Sequence, residues 1–293
     1  MAVRRRGGVQ NYPDVPVDLW VTCRKCGGMH YRPEFEAALR VCPSCNYHDR
    51  LDAAERIVLL LDDPGHFREL DADITAADPL EFSRPNGSYV DRVAKARALT
   101  SRNEAIVCGV GPLQGRPVAL GVMEFGFIAG SMGSATGEKI TRLFEHALRH
   151  RLPVITVTAS GGARQDEGLF ALMQMARTTA ASARLSEAGL PHICVMADPT
   201  LAGVTASFAA VADIIIGEPG ATIRFAGSRV VQGTLRRRAP VEDHTAEWVL
   251  RQGMIDLVIP RRELRETVAR VIDHLAPAPA MAAAPAATRA ARV

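Results

Sequence analysis

Four of the six cysteines lie near the start of the chain and form two Cys-x₂-Cys pairs. The first pair is Cys23 and Cys26, the second is Cys42 and Cys45, and fifteen residues separate the pairs. Pairs at this spacing can bring four thiolates to the corners of a tetrahedron around Zn²⁺. Because all four ligand positions are then filled, the pattern predicts a structural zinc site, with two disulfides or a redox pair as the alternatives.

A second group of residues suited to chemistry is the turn Ser160-Gly-Gly-Ala-Arg164, which follows the apolar run Pro153–Thr158. Gly161 and Gly162 have no side chains to obstruct their backbone N–H groups, and we expect a long helix to begin here and add partial positive charge. Such a turn can bind a phosphate or hold the oxygen of an enolate in an oxyanion hole. The alternative is a tight strand-to-helix turn that binds no ligand.

Two further glycine-containing turns adjoin predicted strands and helices. One runs from Gly126 to Lys139 and matches neither the nucleotide-binding P-loop nor the dinucleotide fingerprint. The other, Pro199–Gly203, follows the apolar run Ile193–Ala197. Parallel strands present their carboxyl ends at one edge of a sheet, so we expect the three turns to converge on one site. Neither Gly-x-Ser-x-Gly nor His-Glu-x-x-His occurs, and a site without an evident general base suits chemistry that relies on an oxyanion hole.

The elements that must position these turns are clearest in the second half of the chain. From about residue 103, short apolar runs alternate with helical patterns, which predicts an α/β fold with a parallel sheet buried on both faces. Before that point, the pattern predicts one helix over Asp52–Leu70 and another over Tyr89–Leu99. We divide the chain into a flexible start (1–17), a cysteine module (18–50), a catalytic domain (51–275) and a disordered Ala/Pro-rich tail (276–293).

The composition excludes several classes of protein. The chain has 293 residues, of which 47% are hydrophobic and 23% charged, as in ordinary soluble globular proteins. No stretch approaches eighteen uncharged apolar residues, and the basic start lacks the apolar run of a signal peptide. We therefore expect a cytoplasmic protein with no membrane partner. The net charge of +3 does not discriminate among partners.

Beyond the cysteine module, the chain carries four motifs in a fixed order: Met123–Ser134, Thr158–Arg164, Leu172–Arg177 and Ala197–Phe208. Together with that module, they resemble the β subunit of bacterial acetyl-CoA carboxylase carboxyltransferase. The likeness covers residues 18 to 275, nearly everything outside the two ends.

This resemblance implies an α/β, crotonase-like ββα superhelix with a small N-terminal zinc ribbon held by four cysteines. By the same likeness, the backbone of Gly161 and Gly162 holds the thioester oxygen of an acyl-CoA as it becomes an enolate. The residues implied in substrate binding come from all three turns; they are Ser160, Ala163, Arg164, Gly130, Met132, Gly133, Ala202 and Gly203.

The resemblance also implies a set of partners. Carboxybiotin would arrive on a biotin carboxyl carrier protein, after a separate biotin carboxylase subunit has used ATP to charge it. A carboxyltransferase α subunit would supply a second oxyanion hole, for the ureido oxygen of biotin, in an α₂β₂ assembly. The reaction would transfer CO₂ to acetyl-CoA, or to a related short acyl-CoA, and acetyl-CoA would give malonyl-CoA.

Several positions depart from the pattern of the family. Ala202-Gly203 stands where the family has a Gly-Gly pair, and Gln165-Asp166 where it has Met-Gln. The segments Arg224–Arg229 and Arg236–His244 are also altered. Because these changes lie near the expected acyl pocket and partner interface, they leave open which acyl-CoA is used.

Two other functions compete with this interpretation. A decarboxylase of the same fold would act on a malonyl thioester without biotin. A regulator would use the ribbon to bind nucleic acid, since five basic residues surround it: Arg24, Lys25, Arg32, Arg40 and Arg50. We interpret these residues as solvated charges rather than as a nucleic-acid surface, because we find no aromatic candidates for base stacking beyond Tyr31 and Tyr47.

Overall fold

The computed structural model describes residues 19–85, 87–225 and 244–276. These residues fall into two compact units, one ending at Arg50 and the other beginning at Leu51. The predicted flexible start and nearly all of the predicted disordered tail lie outside the described residues, as does most of the altered segment Arg236–His244.

The first unit is a small module built around the cysteines. Its strands β1 (Trp20–Thr22) and β2 (Met29–Tyr31) pair antiparallel, and helix α1 (Arg32–Ala37) follows with a proline in its first turn. The apolar core of this unit consists of Phe35 packed with Cys23 and Cys42. Because so few apolar side chains are buried, the unit needs stabilisation beyond its hydrophobic core, which small domains obtain from metals or disulfides.

The second unit is organised by one mixed eight-stranded sheet. In chain order, its strands are β3 (Arg68–Leu70), β6 (Ile106–Leu113), β7 (Arg116–Met123), β8 (Val154–Ser160), β9 (His192–Leu201), β10 (Ile214–Gly217), β11 (Ile223–Arg224) and β12 (Leu257–Val258). A separate two-stranded ribbon contains β4 (Ser83–Arg84) and β5 (Gly87–Ser88). In spatial order, the strands of the large sheet run β12-β10-β9-β8-β7-β6-β3, and β11 pairs with β9 beside this path. From β12 to β7, the strands are parallel, whereas β7, β6 and β3 are antiparallel.

Helices cover both faces of this sheet. Their bounds are Ala53–Leu60 (α2), Tyr89–Thr100 (α3), Ser134–His150 (α4), Leu169–Glu187 (α5), Ala202–Val204 (α6), Ala246–Arg251 (α7) and Leu264–Leu275 (α8). One core joins α4, α5 and α7 to the sheet, and a second core joins α2 and α8 to it. Strand β8 is buried along its whole length, as expected for a parallel strand covered on both faces. The predicted mixed α/β fold is confirmed.

The predicted helix over Asp52–Leu70 is too long. Asp52 and Glu55 form a reciprocal capping box that begins α2, but the helix ends at Leu60. The chain leaves the helical conformation at Leu61, which has ψ 159°. Pro64 prevents the helix from continuing through the following residues, because proline restricts the residue before it to extended conformations and has no N–H for a helical hydrogen bond. Asp63 is extended, with φ −139° and ψ 112°, and the last residues of the predicted helix form β3 instead.

None of the helices in the described ranges has both the length and the apolar character needed to cross a bilayer.

Candidate active site

The turn after β8 runs alongside the loop that joins β7 to α4. Three backbone hydrogen bonds connect them: Gly161 N–H to Ala129 O at 2.9 Å, Met132 N–H to Gly162 O at 2.8 Å, and Arg164 N–H to Met132 O at 2.9 Å. The pattern is that of a short parallel bridge between Met132 and Ala163. Two of the predicted turns are therefore joined into one unit by backbone hydrogen bonds.

The third turn meets this unit at Ala202 and Gly203. A Cβ atom placed on Gly162 would lie 2.6 Å from Ala202 Cβ, and one placed on Gly203 would lie 3.1 Å from Ala163 Cβ. All three turns therefore lie together at the carboxyl ends of β7, β8 and β9. This is where ligands bind in open parallel sheets.

Backbone conformations that favour glycine occur in all three turns. Gly162 has φ +107°, and Gly130 has φ +63°, with the position of a Cβ only 2.0 Å from Ala159 O. The non-glycine residues Ile128, Ala129 and Ala202 also have positive φ, at 46°, 54° and 48°. Such conformations cost about 1–3 kcal/mol each and cluster at functional sites.

The backbone N–H groups of the turn differ in whether they already donate a hydrogen bond within the protein. Gly161 N–H is bonded to Ala129 O, and Gly162 N–H donates to Ser160 Oγ at 3.0 Å. Ala163 N–H has no acceptor within the part of the chain that the structure describes. Because neighbouring residues of a bridge point in opposite directions, this N–H faces away from Met132. A ligand oxygen can use it without displacing another bond.

The predicted helix at the end of this turn begins later than expected. A 3₁₀ turn over Gln165–Glu167 follows Arg164, and α5 starts at Leu169 after Gly168, which has φ +54°. The helix N-terminus therefore does not lie at Gly161 and Gly162, and the partial positive charge expected there is absent.

The N-terminus of α4 already has an anion bound to it. Glu167 Oε2 accepts hydrogen bonds from both the backbone N–H and the Oγ of Ser134, each at 2.5 Å. A carboxylate at this position is favoured by the helix dipole. The loop over Gly126–Lys139 thus binds a side chain of the protein itself where a phosphate could otherwise bind.

Arg164 is not available to a substrate. Its side chain is 1% exposed, and each of its five N–H donors has an acceptor. Nε donates to Ser131 Oγ at 3.1 Å and Nη2 to Ser131 O at 2.7 Å, while a bidentate pair with Glu104 and a 3.0 Å bond to Tyr89 Oη use the rest. The side chain of Arg164 therefore has no free donor for the predicted role in substrate binding, and it fixes the end of the turn.

The other predicted site residues differ in how accessible they are. Ser160 and Met132 are fully buried, and Gly130, Gly133, Gly162 and Gly203 are buried as well. Gly161 is exposed, whereas Ala163 and Ala202 are half-buried. The surface that can contact a ligand is therefore formed by these last three residues, with the buried ones behind them.

Sequence reasoning missed the residues that hold Arg164. Glu104 precedes β6, Tyr89 begins α3, and Glu167 lies in the 3₁₀ turn, so no local spacing connects them. A buried arginine needs carboxylate partners, but this rule does not say which carboxylates in the sequence they are.

The four predicted metal ligands of the first unit lie together. All four Sγ atoms are within 4.8 Å of one another, with Cys23 and Cys45 at 3.7 Å and Cys26 and Cys42 at 3.8 Å. Zinc–sulfur bonds of about 2.3 Å in a tetrahedron give sulfur–sulfur edges of about 3.8 Å. None of the four is in a disulfide. The donor set therefore fits a tetrahedral zinc ion.

The surroundings of the sulfurs also favour a bound cation. Burial opposes ionisation of Cys23, but backbone hydrogen bonds from Cys26 and Lys25 lower the pKa of this thiol to about 7. Burial and the neighbouring sulfurs raise the pKa of Cys45 to about 12. A divalent cation deprotonates the thiols that coordinate it.

Residues 50–289 match the family described as carboxyl transferase domain. The chain belongs to this family, so it is a carboxyltransferase. More particularly, it is 46% identical over 260 residues to the acetyl-coenzyme A carboxylase carboxyl transferase subunit beta of Chloroflexus aggregans, covering 89% of this chain and 85% of the relative. It is also 46% identical over 280 residues to subunit beta 1 of Roseiflexus castenholzii, covering 94% and 93%. The family resemblance predicted from the motifs is confirmed.

Solved structures show the same fold. Transcarboxylase 12S, with methylmalonyl-coenzyme A bound, has a TM-score of 0.65 and 24% identity over 82% of this chain, which spans 42% of that longer chain. A malonate decarboxylase hetero-dimer from Pseudomonas has a TM-score of 0.60 and 24% identity, covering 78% of this chain and 88% of that one. At these identities the likeness establishes the fold alone, and the predicted crotonase-like fold is confirmed.

Proposed function

We propose that the chain is the β subunit of a biotin-dependent acyl-CoA carboxylase, which transfers CO₂ from carboxybiotin to acetyl-CoA or a related short acyl-CoA. The observation that carries this proposal is the 44–46% identity, over about nine-tenths of the chain, to relatives that are named as this subunit. The three turns that meet at the sheet edge supply backbone N–H donors that can stabilise the oxygen of an enolate.

In this proposal, the turn after β8 holds the thioester oxygen of the acyl-CoA. Transfer of the α-carbon proton to the biotin left after loss of CO₂ would place negative charge on that oxygen, and N–H donors aimed at it would stabilise the charge. Ala163 N–H is free to donate, and Gly162 N–H becomes a second donor if the ligand oxygen replaces Ser160 Oγ. This keeps the predicted role of Gly162 and moves that of Gly161, whose N–H is bonded to Ala129 O, to shaping the turn.

Carboxybiotin, when bound, would supply the CO₂ that the acyl-CoA carbon captures. The residues of this chain hold the thioester and keep its oxygen in a fixed position, while the buried backbone behind the turn excludes water from one side. Arg164 cannot act as an anion-binding side chain because its donors are all used, and a guanidinium that stays protonated cannot act as a base.

We propose that the cysteine cluster binds one zinc ion with a structural role. The four ligands Cys23, Cys26, Cys42 and Cys45 would fill a tetrahedral shell and leave no open position for catalysis. The ion would then stabilise a unit whose own apolar core is very small.

A partner subunit is supported by the outer face of α5. Four apolar side chains at its start are exposed, Leu169, Phe170, Leu172 and Met173, at 69%, 44%, 52% and 58%. The inner face of the same helix carries smaller or polar residues such as Ala171, Gln174 and Thr178. Because α5 follows directly from the candidate site, we propose that an α subunit covers this face and completes the site, in an α₂β₂ assembly.

A malonyl-thioester decarboxylase is the second candidate function. It is favoured by the fold likeness to malonate decarboxylase, which extends over 88% of that chain. The two functions differ in their need for biotin, since only carboxyl transfer requires it. The far higher identity to carboxylase subunits leads us to prefer carboxyl transfer.

The test is reconstitution of the chain with its α subunit. We expect biotin-dependent carboxylation of a panel of short acyl-CoA substrates by the complex, and no carboxylation by the chain alone. Loss of CO₂ from malonyl-CoA in the absence of biotin, at a rate above the biotin-dependent reaction, would favour the decarboxylase. Full activity of the isolated chain would contradict the proposed assembly.

A further inference from the structure

A buried polar cluster connects four separate parts of the second unit behind the candidate site. We call it the Arg164 cluster; its members are Arg164, Glu104, Glu167, Tyr89, Ser131 and Ser134. The two carboxylates and the guanidinium are each about 1% exposed or less. A buried network of this kind is stabilising only if every member is satisfied, so its geometry is tightly constrained.

Glu104 neutralises most of the guanidinium charge. It forms a bidentate pair with Arg164 and also accepts the backbone N–H of Ala105 at 2.7 Å. Arg164 in turn holds Ser131 through both its backbone oxygen and its hydroxyl. The side chain of Arg164 thereby fixes the loop before α4, while its backbone N–H is bonded to Met132 O in the same loop.

Glu167 carries the second negative charge, which Arg164 alone does not balance. Its Oε1 accepts the Tyr89 hydroxyl at 2.5 Å and contacts Arg164 Nη1 at 3.4 Å, and its Oε2 accepts both donors of Ser134. Tyr89 therefore joins the two halves of the cluster, because its hydroxyl donates to Glu167 and accepts from Arg164. Burial raises the pKa of Tyr89, so this hydroxyl stays protonated and remains a donor.

We infer that Tyr89 and Glu167 are positioning residues for carboxyl transfer, acting through Arg164 on the turn that binds the thioester oxygen. The inference rests on the proposed function. Gly161, Gly162 and Ala163 lie between buried Ser160 and buried Arg164, so the direction of the Ala163 N–H depends on both ends being fixed. A tilt of this donor weakens the bond to an oxygen whose charge develops only in the transition state, and lowers kcat without changing ground-state binding.

The test is Tyr89→Phe in the reconstituted complex, which removes one hydroxyl and no carbon atoms. We expect kcat to fall about tenfold, the effect of one lost hydrogen bond of ordinary strength, while KM for the acyl-CoA stays within about twofold. Tyr31→Phe is the matched control, since this residue is 39% exposed, belongs to the first unit and is not a member of the cluster. Ile272→Val, a small loss in the core beneath α8, controls for a general loss of stability. Both controls should retain kcat within about twofold.

A second measurement on the same complexes does not depend on activity. Amide hydrogen exchange of the peptide containing residues 161–163 should become about tenfold faster in Tyr89→Phe and remain unchanged in both controls, because the turn opens more often when Arg164 is held less firmly. If the wild-type complex carries out no carboxyl transfer, the proposed function fails, and the exchange measurement still decides the positioning role. Unchanged exchange, an unchanged kcat, or an equal loss of kcat in Ile272→Val would each overturn the inference.

Discussion

The carboxylate of Glu167 binds the first residue of α4, Ser134, through both of that residue's donors at 2.5 Å. Gly133, which precedes the helix, has no side chain to cap it. A residue thirty-three positions further along the chain therefore performs the task of an N-cap, with the helix dipole favouring its charge. The same contact ties the turn after β8 to the helix that follows β7.

Glu167→Gln should destabilise the protein by about 1–3 kcal/mol, because a neutral amide cannot accept from Ser134 as strongly and is a poorer partner for Arg164. Urea denaturation would measure the loss. Glu187→Gln is the control, since Glu187 is exposed at the C-terminal end of α5, where a negative charge is unfavourable. Equal midpoints for Glu167→Gln and the wild type would show that the contact contributes nothing.

The two glycines of the turn should respond differently to alanine. At Gly162, φ is +107° and a Cβ would lie 2.6 Å from Ala202 Cβ, whereas at Gly161 the nearest atom would be 3.5 Å away. We expect Gly161→Ala to fold and assemble normally, and Gly162→Ala to lose on the order of 10²-fold or more in turnover by misplacing an N–H donor. Zinc content and assembly with the α subunit, measured on the same samples, control for misfolding. Near-normal turnover of Gly162→Ala would place the thioester oxygen elsewhere.

Removal of the metal should unfold the first unit and leave the second intact. Cys26→Ala deletes one of four ligands, and the apolar core of three side chains cannot stabilise the unit alone. Metal analysis should give one zinc per chain in the wild type and much less in this variant. Cys194→Ala, in the core of the other unit, should keep its zinc. Well-folded wild-type protein with substoichiometric zinc would refute the site.

Sequence reasoning predicted those parts of the site that depend on short-range patterns in the chain, such as residue spacing and glycine positions. The spacing of the four cysteines sets which thiols can meet, and the predicted ligands are those that lie within 4.8 Å of one another. Glycines at strand ends likewise mark turns, because positive φ and close backbone approach require them, as at Gly130 and Gly162.

The parts that it did not predict depend on residues far apart in the chain. Arg164 lies in a motif that suggests substrate binding, but Glu104, sixty positions earlier, neutralises it inside the protein. The start of α5 was misplaced because nothing in Gln165–Glu167 distinguishes a 3₁₀ turn from the first turn of a helix. In each case, tertiary contacts decide between local alternatives.

The buried carboxylate of Glu218 should make stability depend on pH. Burial opposes its ionisation, but the guanidinium groups of Arg56 and Arg261, at 2.7 and 2.8 Å, hold the pKa of Glu218 well below its usual range. A lowered folded-state pKa contributes stability that is present above the unfolded value of about 4.3 and is lost as the pH falls towards the folded value.

Glu218→Gln should therefore lower the free energy of unfolding at pH 7 by about 3–5 kcal/mol, because two buried guanidinium groups lose their counter-charge. It should also flatten the loss of stability below about pH 4.3, which urea denaturation across a pH series would measure. Glu263→Gln, at an exposed ion pair with Arg262, should keep the acid slope of the wild type. An acid slope in Glu218→Gln as steep as that of the wild type would mean that other carboxylates control it.

The exposed apolar start of α5 should be needed for assembly rather than for folding. Met173 is 58% exposed in the isolated chain, so Met173→Lys loses little buried surface and should keep the melting temperature within about 2 °C of the wild type. In a complex, the same lysine would place an unpaired charge in an apolar contact, which costs several kcal/mol and should weaken binding of the α subunit by at least about 100-fold.

Analytical ultracentrifugation of mixtures with the α subunit would measure this loss, and CO₂ transfer should fall in proportion to the complex that is lost. Leu99→Lys is the matched control, because Leu99 is even more exposed, at 74%, and lies near the end of α3 rather than on α5. If Met173→Lys and Leu99→Lys assemble equally well, the partner binds another face. If both fail, the loss reflects added positive charge rather than the apolar face of α5.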